Sequence, residues 1–313
     1  MIIKTSDFET IKPILKKISI PNAISHKGQN GKVLIIGGSS LFHAASIWAA
    51  EIASHIVDIV HYSSTIENNE IMLSLKAKFL NGIVVSKDHL ESYVKEDDVV
   101  LIGPGMMRRI TNVKKQFPNN IQLPSNNFQT IQNLKDEGEY TYFLTKYLIE
   151  HFPNKKFVFD AGSLQMMDVN WLKLLKVKSI ITPHQIEFDT LFKTNIRDLK
   201  NDEKVLLVKQ KAKEFNCVIL LKAIIDIVSD GNEVYVIEGG NQGLTKGGTG
   251  DVLAGLTLAL YSQNDVLNSA ILASILLKRA ADELSKQNGY WYTIDSIIQI
   301  IPKVMHSFVE NVV

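Results

Sequence analysis

The chain has 313 residues, 45% of them hydrophobic, enough to bury a large core, and no Pro/Ser/Gly-rich linker divides it into separate domains. Its 34 basic and 33 acidic residues are spread along the sequence and leave a formal net charge of +1, so no basic field points to nucleic acid. The single cysteine, Cys217, excludes an intrachain disulfide and reads as a small buried hydrophobe, which makes a reducing compartment, the cytoplasm, the expected location.

In chain order, the N-terminus has too short an apolar stretch for a secretion signal, and residues 6–18 read as an amphipathic helix opened by Ser6-Asp-Phe-Glu9 and disturbed at Pro13. This helix is expected to pack on the outside of the domain or on a partner subunit. The polar loop from His26 to Gly31 leads to a β-branched run, Val33–Ile36, a Gly37-Gly38-Ser39-Ser40 turn, and a helix from His43 to His55 with Ala44, Ala45, Ile47, Trp48, Ile52 and Ile56 inward. Glu51, His55 and Asp58 interrupt this region, so it does not span a membrane.

The alternation continues with a strand at 57–61, a helix at 69–80 and strands at 82–85 and 99–102, the last ending in Gly103-Pro104-Gly105. The polar stretch 111–138, with Asn119, Asn120, Asn126 and Asn127, reads as a surface excursion before a helix at 139–152. Further strands are expected at 155–159, ending in Asp160-Ala161-Gly162, at 179–181, ending in Thr182-Pro183-His184, and at 217–221, ending at Lys222, with a long helix at 196–215 between the last two. A hairpin at the sheet edge (226–228 with 233–237) and three helices (252–262, 266–286, 294–308) complete the chain. Apolar strands separated by helices predict a parallel sheet covered on both faces, with ligands beyond the carboxyl ends of its strands.

The stretch from Gly240 to Gly255 carries the chemistry. Gly247, Gly248 and Gly250 let the backbone approach a ligand, and a helix begins at or near Asp251, whose first amides form a ready anion site. A carboxylate beside an anion site reads as a base that deprotonates a hydroxyl while the amides hold the phosphoryl group under attack. It reads equally as an ordinary cap on a tight turn.

Neither a P-loop nor a Gly-x-Gly-x-x-Gly after the first strand occurs, and there is no nucleophile elbow or His-Glu-x-x-His motif. What does occur, in order, is His26-Lys-Gly-x-x-Gly31, Val33-Leu-Ile-Ile-Gly-Gly-Ser39, Ile102-Gly-Pro-Gly105, Phe159-Asp-Ala161, Thr182-Pro-His-x-x-Glu-Phe188, Leu221-Lys222 and Gly247-Gly-Thr-Gly-Asp-Val-Leu-Ala-Gly255. Together these resemble the NAD(P)H-hydrate dehydratase family, from about His26 to the last helix; the Gly-Gly-Thr-Gly-Asp element is shared with other ribokinase-like kinases such as hydroxyethylthiazole kinase.

The resemblance implies a ribokinase-like three-layer αβα sandwich with a mostly parallel central sheet and an edge hairpin. Residues 1–25 would be an N-terminal helical extension and 26–313 the catalytic domain. It implies a repair enzyme that removes water from the S epimer of hydrated NADH or NADPH with ADP or ATP as co-substrate, by phosphoryl transfer to the ring hydroxyl and loss of phosphate.

Asp251 would be the base; Gly247, Gly248, Thr249 and Gly250 would hold phosphates; Lys222, Ala223, Ile224, Ile225 and Asp226 would line the nucleotide site. Ala44, Gly105, His184 and Asp251 would contact the hydrated dinucleotide. Mg²⁺ would bridge the phosphates, with Asp160 as a candidate ligand. The family also implies a homo-oligomer, tetrameric in its members, and a separate epimerase as pathway partner.

His43, Met107, Ala223 and the run Ile56-Val57-Asp58 replace glycines usual in the family, and each is expected to reshape the cleft. Other readings stay open: His184 as a cap, Lys222 as a solvated strand end, Asp160 as a turn residue, and His26, His43, His55 and His61 as structural. At the level of function the alternatives are a kinase of a small alcohol and a catalytically idle nucleotide-binding protein.

Overall fold

The computed structural model describes residues 1–77, 79–108 and 127–311. Ten strands form one sheet: β1 (Ile2–Lys4), β2 (Lys32–Ile36), β3 (Ile59–Ser63), β4 (Gly82–Val84), β5 (Val99–Ile102), β6 (Lys156–Phe159), β7 (Ile180–Ile181), β8 (Val218–Leu221), β9 (Asp226–Ser229) and β10 (Val234–Glu238). Their order is β1-β10-β9-β8-β7-β6-β5-β2-β3-β4, parallel throughout except where β9 pairs antiparallel with β8 and β10. The chain runs outward from β2 through β3 and β4, then returns to β5 on the other side of β2. That reversal puts the topological switch between β2 and β5, where the carboxyl ends of the strands open a crevice.

The strands are apolar along their length because both faces are covered. Val33, Ile35, Val99 and Leu101 point to one core, with α2 (Ala44–Ser54), α10 (Thr249–Gln263), α11 (Val266–Asn288) and α12 (Ile294–Glu310). Leu34, Ile36, Val100 and Ile102 point to the other, with α4 (Leu90–Glu96), α5 (Phe128–Gln132), α6 (Glu137–His151), α8 (Gln185–Phe192) and α9 (Asn201–Glu214). The two-residue period of the strand assigns alternate side chains to opposite cores. Two shorter helices, α3 (Ile66–Ser74) and α7 (Ala161–Met166), follow β3 and β6.

Helix α10 lies against α2 so closely that a Cβ at Gly255 would come within 2.4 Å of the Ala49 carbonyl oxygen. Gly255→Val is therefore expected to cost about 3 kcal/mol, the upper end of overpacking, read as a lower denaturation midpoint with unchanged denaturant dependence. A cost under about 0.5 kcal/mol, the level of an ordinary surface change, would show that the two helices separate freely.

Several boundaries differ from the expected ones, each for a local reason. The N-terminal residues supply a strand as well as the helix: β1 pairs with β10 outside the hairpin, and α1 (Phe8–Leu15) buries Ile11, Ile14 and Leu15. Its cap is Asp7, which accepts from the Glu9 amide, rather than Ser6. Strand β3 starts two residues late because Asp58 is held in the preceding turn, its carboxylate accepting from the Gly28 and Asn30 amides at 2.8 and 3.1 Å. The expected helix 196–215 breaks at its start: Asp189 accepts from the Ile196 amide, and Glu203 accepts from the Lys200 amide at 2.8 Å, so α9 begins at Asn201. Of the expected excursion 111–138, residues up to 126 lie outside the described ones; α5 and the start of α6 occupy part of the rest. Ala44, expected inward, is exposed, because the buried face of α2 is Ser46, Ile47, Ala49, Ala50, Ile52 and Ala53.

Candidate functional site

Helix α10 starts two residues earlier than expected, at Thr249, with Gly248 as its cap in the left-handed region at φ 105°. A side chain there would also collide with the Trp48 ring, 2.6 Å from the ideal Cβ position. The Thr249 hydroxyl donates to the Leu244 and Lys246 carbonyls at 2.9 and 3.0 Å, and the Val252 amide bonds Gly248 at 3.0 Å. Between them the amides of Gly250 and Asp251 occupy the helix's first turn, where no helical acceptor exists. At Gly250 an added Cβ would lie 3.4 Å from the Lys222 ammonium, so that nitrogen faces the same turn.

Lys222 follows β8 and Asp160 follows β6, two strands away, and they meet in an ion pair of 2.7 Å that is buried on the Asp160 side and part-buried at Lys222. Asp160 is 1% exposed, and the same carboxylate oxygen also accepts from the Thr182 hydroxyl at 2.7 Å. The residue after it, Ala161, has φ 43°, a left-handed conformation rare for a side chain, which turns the chain into α7 directly behind the carboxylate. Glu187 is buried as well, accepting from the His184 amide and from Gln165 at 2.9 Å each. One ammonium thus faces three carboxylates, Asp160, Glu187 and Asp251. Burial works against the charge on Lys222, but Asp160 and Glu187, with Asp251, more than offset it and hold the proton on. Asp251 takes the remainder: burial first, then Asp160, push it up to about 7, with Lys222 only partly opposing. A carboxylate poised near neutrality is suited to accept a proton.

Gly250 and Thr249 line a cavity of about 100 Å³. It shares Lys222, Ala223, Leu244 and Lys278 with a larger one of about 460 Å³ bordered by Lys222, Ala223, Ile224, Gly240, Asn241 and Leu244, among others. Ile224 is 92% exposed at its mouth, an apolar surface with nothing over it. The loop from Ala223 to Asp226 is pinned from below by Lys278, 3% exposed, whose ammonium reaches the carbonyls of Ile224 at 2.8 Å and of Ala223 and Gly239 at 3.4 Å, and the Asp226 carboxylate at 3.4 Å. Asp226 also accepts from the Ala223 amide at 2.9 Å and the Ser274 hydroxyl at 2.7 Å. It therefore supports the loop while Ala223 and Ile224 line the space. Gly247 is exposed at the entrance of the glycine loop.

Ala44 and Gly105 sit across the switch point. Ala44 opens α2 one turn before Trp48, the residue packed on Gly248, so both belong to the rim that faces the start of α10. Gly105, at φ 70°, approaches the Ala45 side chain and the backbone of Gly38. His184 caps α8, its Nδ1 accepting from the Ile186 and Glu187 amides at 3.1 and 3.2 Å. That fixes the neutral tautomer with hydrogen on Nε2, and the side chain remains 46% exposed, so the cap and ligand readings are compatible. The residues in place of family glycines are accommodated outside the cleft or on its wall. His43 turns to Asn68, Nδ1 to Oδ1 2.6 Å, Asp58 organises the Gly28–Asn30 loop, and Met107 lines the crevice wall.

Lys278 and Ser274 escaped the sequence reading, and Thr182 and Glu187 entered it only as letters of a motif, with no role. For Ser274 and Lys278 a signal existed: they lie four apart on α11, and Lys278 is a lysine on an otherwise inward-facing stripe, where an unpaired cation would not be tolerated.

The model of the family described as NAD(P)H-hydrate dehydratase matches residues 33–303. The bifunctional NAD(P)H-hydrate repair enzyme Nnr of Methanocaldococcus jannaschii is 34% identical over 301 residues, 94% of this chain and 52% of that protein. The chain thus spans about half the length of that relative. It also aligns with the ADP-dependent (S)-NAD(P)H-hydrate dehydratase of Nitrosopumilus maritimus at 31% identity, covering 96% of this chain and 98% of the other. Among solved structures, the ADP/ATP-dependent NAD(P)H-hydrate dehydratase of Bacillus subtilis co-crystallized with ATP/Mg²⁺ superposes with a TM-score of 0.72 at 17% identity, over 98% of this chain and 99% of that one, which shows a shared fold. With the family model matching most of its length and a relative 31% identical over nearly the whole of both chains, this chain belongs to the NAD(P)H-hydrate dehydratase family.

Proposed function

We propose that the protein dehydrates the S epimer of hydrated NADH and NADPH with ADP, or ATP in its place, as co-substrate. The observation that carries this is Asp251, a carboxylate raised to about 7 in the first turn of α10, where Gly250 and Lys222 line a small cavity that shares its wall of Lys222, Ala223 and Leu244 with a larger, nucleotide-sized one. Asp251 takes the proton of the ring hydroxyl, whose oxygen attacks the terminal phosphoryl group. The bond to the nucleotide's bridging oxygen breaks, and AMP leaves if ADP was the donor. Loss of the phosphorylated oxygen as inorganic phosphate, with loss of a ring proton, then restores the double bond of the reduced nicotinamide. The Gly250 amide and the Lys222 ammonium are placed to hold the transferring group, contributing charge stabilisation where charge develops.

Magnesium supplies charge neutralisation on the phosphates when bound. Among the described residues no group of three His, Cys, Asp or Glu side chains is placed to hold a metal ion, and Asp160 is committed to Lys222 and Thr182. An ion held mainly by phosphate oxygens and water, with at most one carboxylate from the chain, would be a set that magnesium accepts.

The reading further assigns residues 1–25 to an N-terminal extension and 26–313 to the catalytic domain. It includes assembly as a homo-oligomer, an NAD(P)H-hydrate epimerase as pathway partner and a cytoplasmic location. No helix among the described residues is long and apolar enough to cross a membrane. The direct test is incubation with hydrated NADH, Mg²⁺ and either ADP or ATP, followed by recovery of reduced-ring absorbance. Phosphorylation of a small alcohol without any such recovery would replace the dehydratase with a kinase on the same base and anion site.

A further inference from the structure

A second cavity, of about 190 Å³, opens at the same edge of the sheet but beyond the switch point, where the ends of β2 and β3, the start of α3, the loop after β4 and the start of α6 meet. One cationic side chain there has an aromatic ring as its partner and no hydrogen-bonded or ion-paired oxygen among the described residues: the Lys87 ammonium lies 4.3 Å above the Tyr140 ring. Burial pulls its proton affinity down, with Glu137 and Glu67 opposing. Of these carboxylates Glu137 is already engaged, accepting from the Ser40 amide and hydroxyl at 2.8 Å each, and Glu67 is exposed, as is Lys135 at the rim. Helix α3, of nine residues, points its N-terminus into the same cavity. Its Thr65 cap satisfies the Asn68 and Asn69 amides, which leaves those of Ile66 and Glu67 in the turn without helical acceptors. A part-buried ammonium without an oxygen, beside a helix N-terminus, asks for an anion.

The sheet supplies the link to the reaction. From β6, which carries Asp160, to β3, which ends at this cavity, are three strand spacings, β6-β5-β2-β3, about 14 Å at roughly 4.8 Å each. The Gly105 turn and Gly38 lie on the way and touch each other, so the floor between the two sites is continuous. A dinucleotide whose nicotinamide ring lies toward Asp251 runs its phosphates along this edge. We propose that this cavity is the distal subsite of the substrate, with Lys87 and the α3 amides binding a phosphoryl group of the hydrated dinucleotide, either its pyrophosphate or the 2′-phosphate of the NADPH form. The proposal rests on the dehydratase reading for the identity of the substrate.

Lys87→Met and the milder Lys87→Gln, each checked for an unchanged melting temperature, are compared with the wild type in two measurements. The first is calorimetric titration with NADP⁺ and NAD⁺, which carry the same phosphates and do not react. The second is turnover of both hydrates with ADP. At least a tenfold loss of affinity and a matching rise in KM for the hydrate are expected, with kcat and the KM for ADP within twofold, and Lys87→Arg should recover most of the loss. Loss confined to NADP⁺ and hydrated NADPH assigns the 2′-phosphate; equal loss with both pairs assigns the pyrophosphate. Unchanged affinity and KM for every ligand overturns the subsite. A wild type that binds NADP⁺ through Lys87 but restores neither hydrate would keep the subsite and remove the dehydratase reading.

Discussion

Asp251→Asn is expected to lower kcat for hydrated NADH by about 10²–10⁴-fold, the usual contribution of a positioned base, while ADP affinity changes by less than about threefold. The asymmetry follows from the geometry: the substitution removes the proton acceptor but keeps the helix start, the Gly250 amide and Lys222, which face the nucleotide. The same side chain sets the pH dependence. Burial and Asp160 raise Asp251 to about 7, and only the ionised form accepts a proton. The acid limb of kcat/KM should therefore bend near pH 7, falling tenfold per pH unit below it. Stability moves the other way. The folded state holds this proton more tightly than the unfolded chain, whose carboxyl has the ordinary value of 3.8. The contribution is fully present below about pH 4 and lost as pH rises through about 7. Asp251→Asn should accordingly be more stable than the wild type at pH 8, with the advantage shrinking toward pH 4. Retained turnover in the variant would take Asp251 out of the mechanism, and an acid limb near pH 4 would show that its carboxyl is solvated.

Lys222→Met should destabilise the fold by about 3–5 kcal/mol, because it strands Asp160, 1% exposed, without a counter-charge. Asp160→Asn combined with Lys222→Met should recover most of that loss, since a neutral pair leaves no unpaired charge behind, and Thr182 can still donate to the amide oxygen. The double variant should nevertheless remain inactive, for among the described residues Lys222 is the cation that faces Asp251 and the phosphate turn. In any folded variant lacking Lys222 but keeping Asp160, the acid limb should move above 7, because the favourable charge that restrains Asp251 has gone while the carboxylate that raises it remains. Chemical denaturation of the four proteins of this cycle gives the coupling directly. A coupling below about 0.5 kcal/mol would mean that the pair contributes no more than a surface contact, and that the cluster does not set the acidity of Asp251.

Placing substrate phosphate at Lys87 extends the active cleft along the sheet edge from β8 to β3. The base, the nucleotide cavity and the distal cavity then all lie beyond strand ends, and a 2′-phosphate held at Lys87 would set the preference between the NADH and NADPH hydrates away from the reacting ring.

How much of this was legible in the chain differs from element to element. The alternating apolar runs announced a covered parallel sheet, because a strand buried on both faces has no polar period to keep. The glycines around Gly248 announced a tight helix start, since only glycine combines a positive φ with close approach to Trp48. The motif order from His26 to Gly255 carried the family, and with it the proposal that Asp251, Lys222 and His184 take part in the site. Boundaries set by distant partners could not be read this way: β1 is a strand only because β10 lies beside it, and β3 starts late only because Asp58 reaches back to Gly28. Nor could the roles of charges. Lys222 and Asp160 are 62 residues apart, Lys278 and Ala223 are 55 apart, and nothing local tells a surface lysine from one buried against a carboxylate. Fold and candidate base thus belong to local pattern, which is governed by periodicity and backbone sterics. The acidity of Asp251, the pinning of the nucleotide loop and the placing of Lys87 over the Tyr140 ring belong to tertiary structure, since burial and through-space charge exist only once distant strand ends have been brought to one edge.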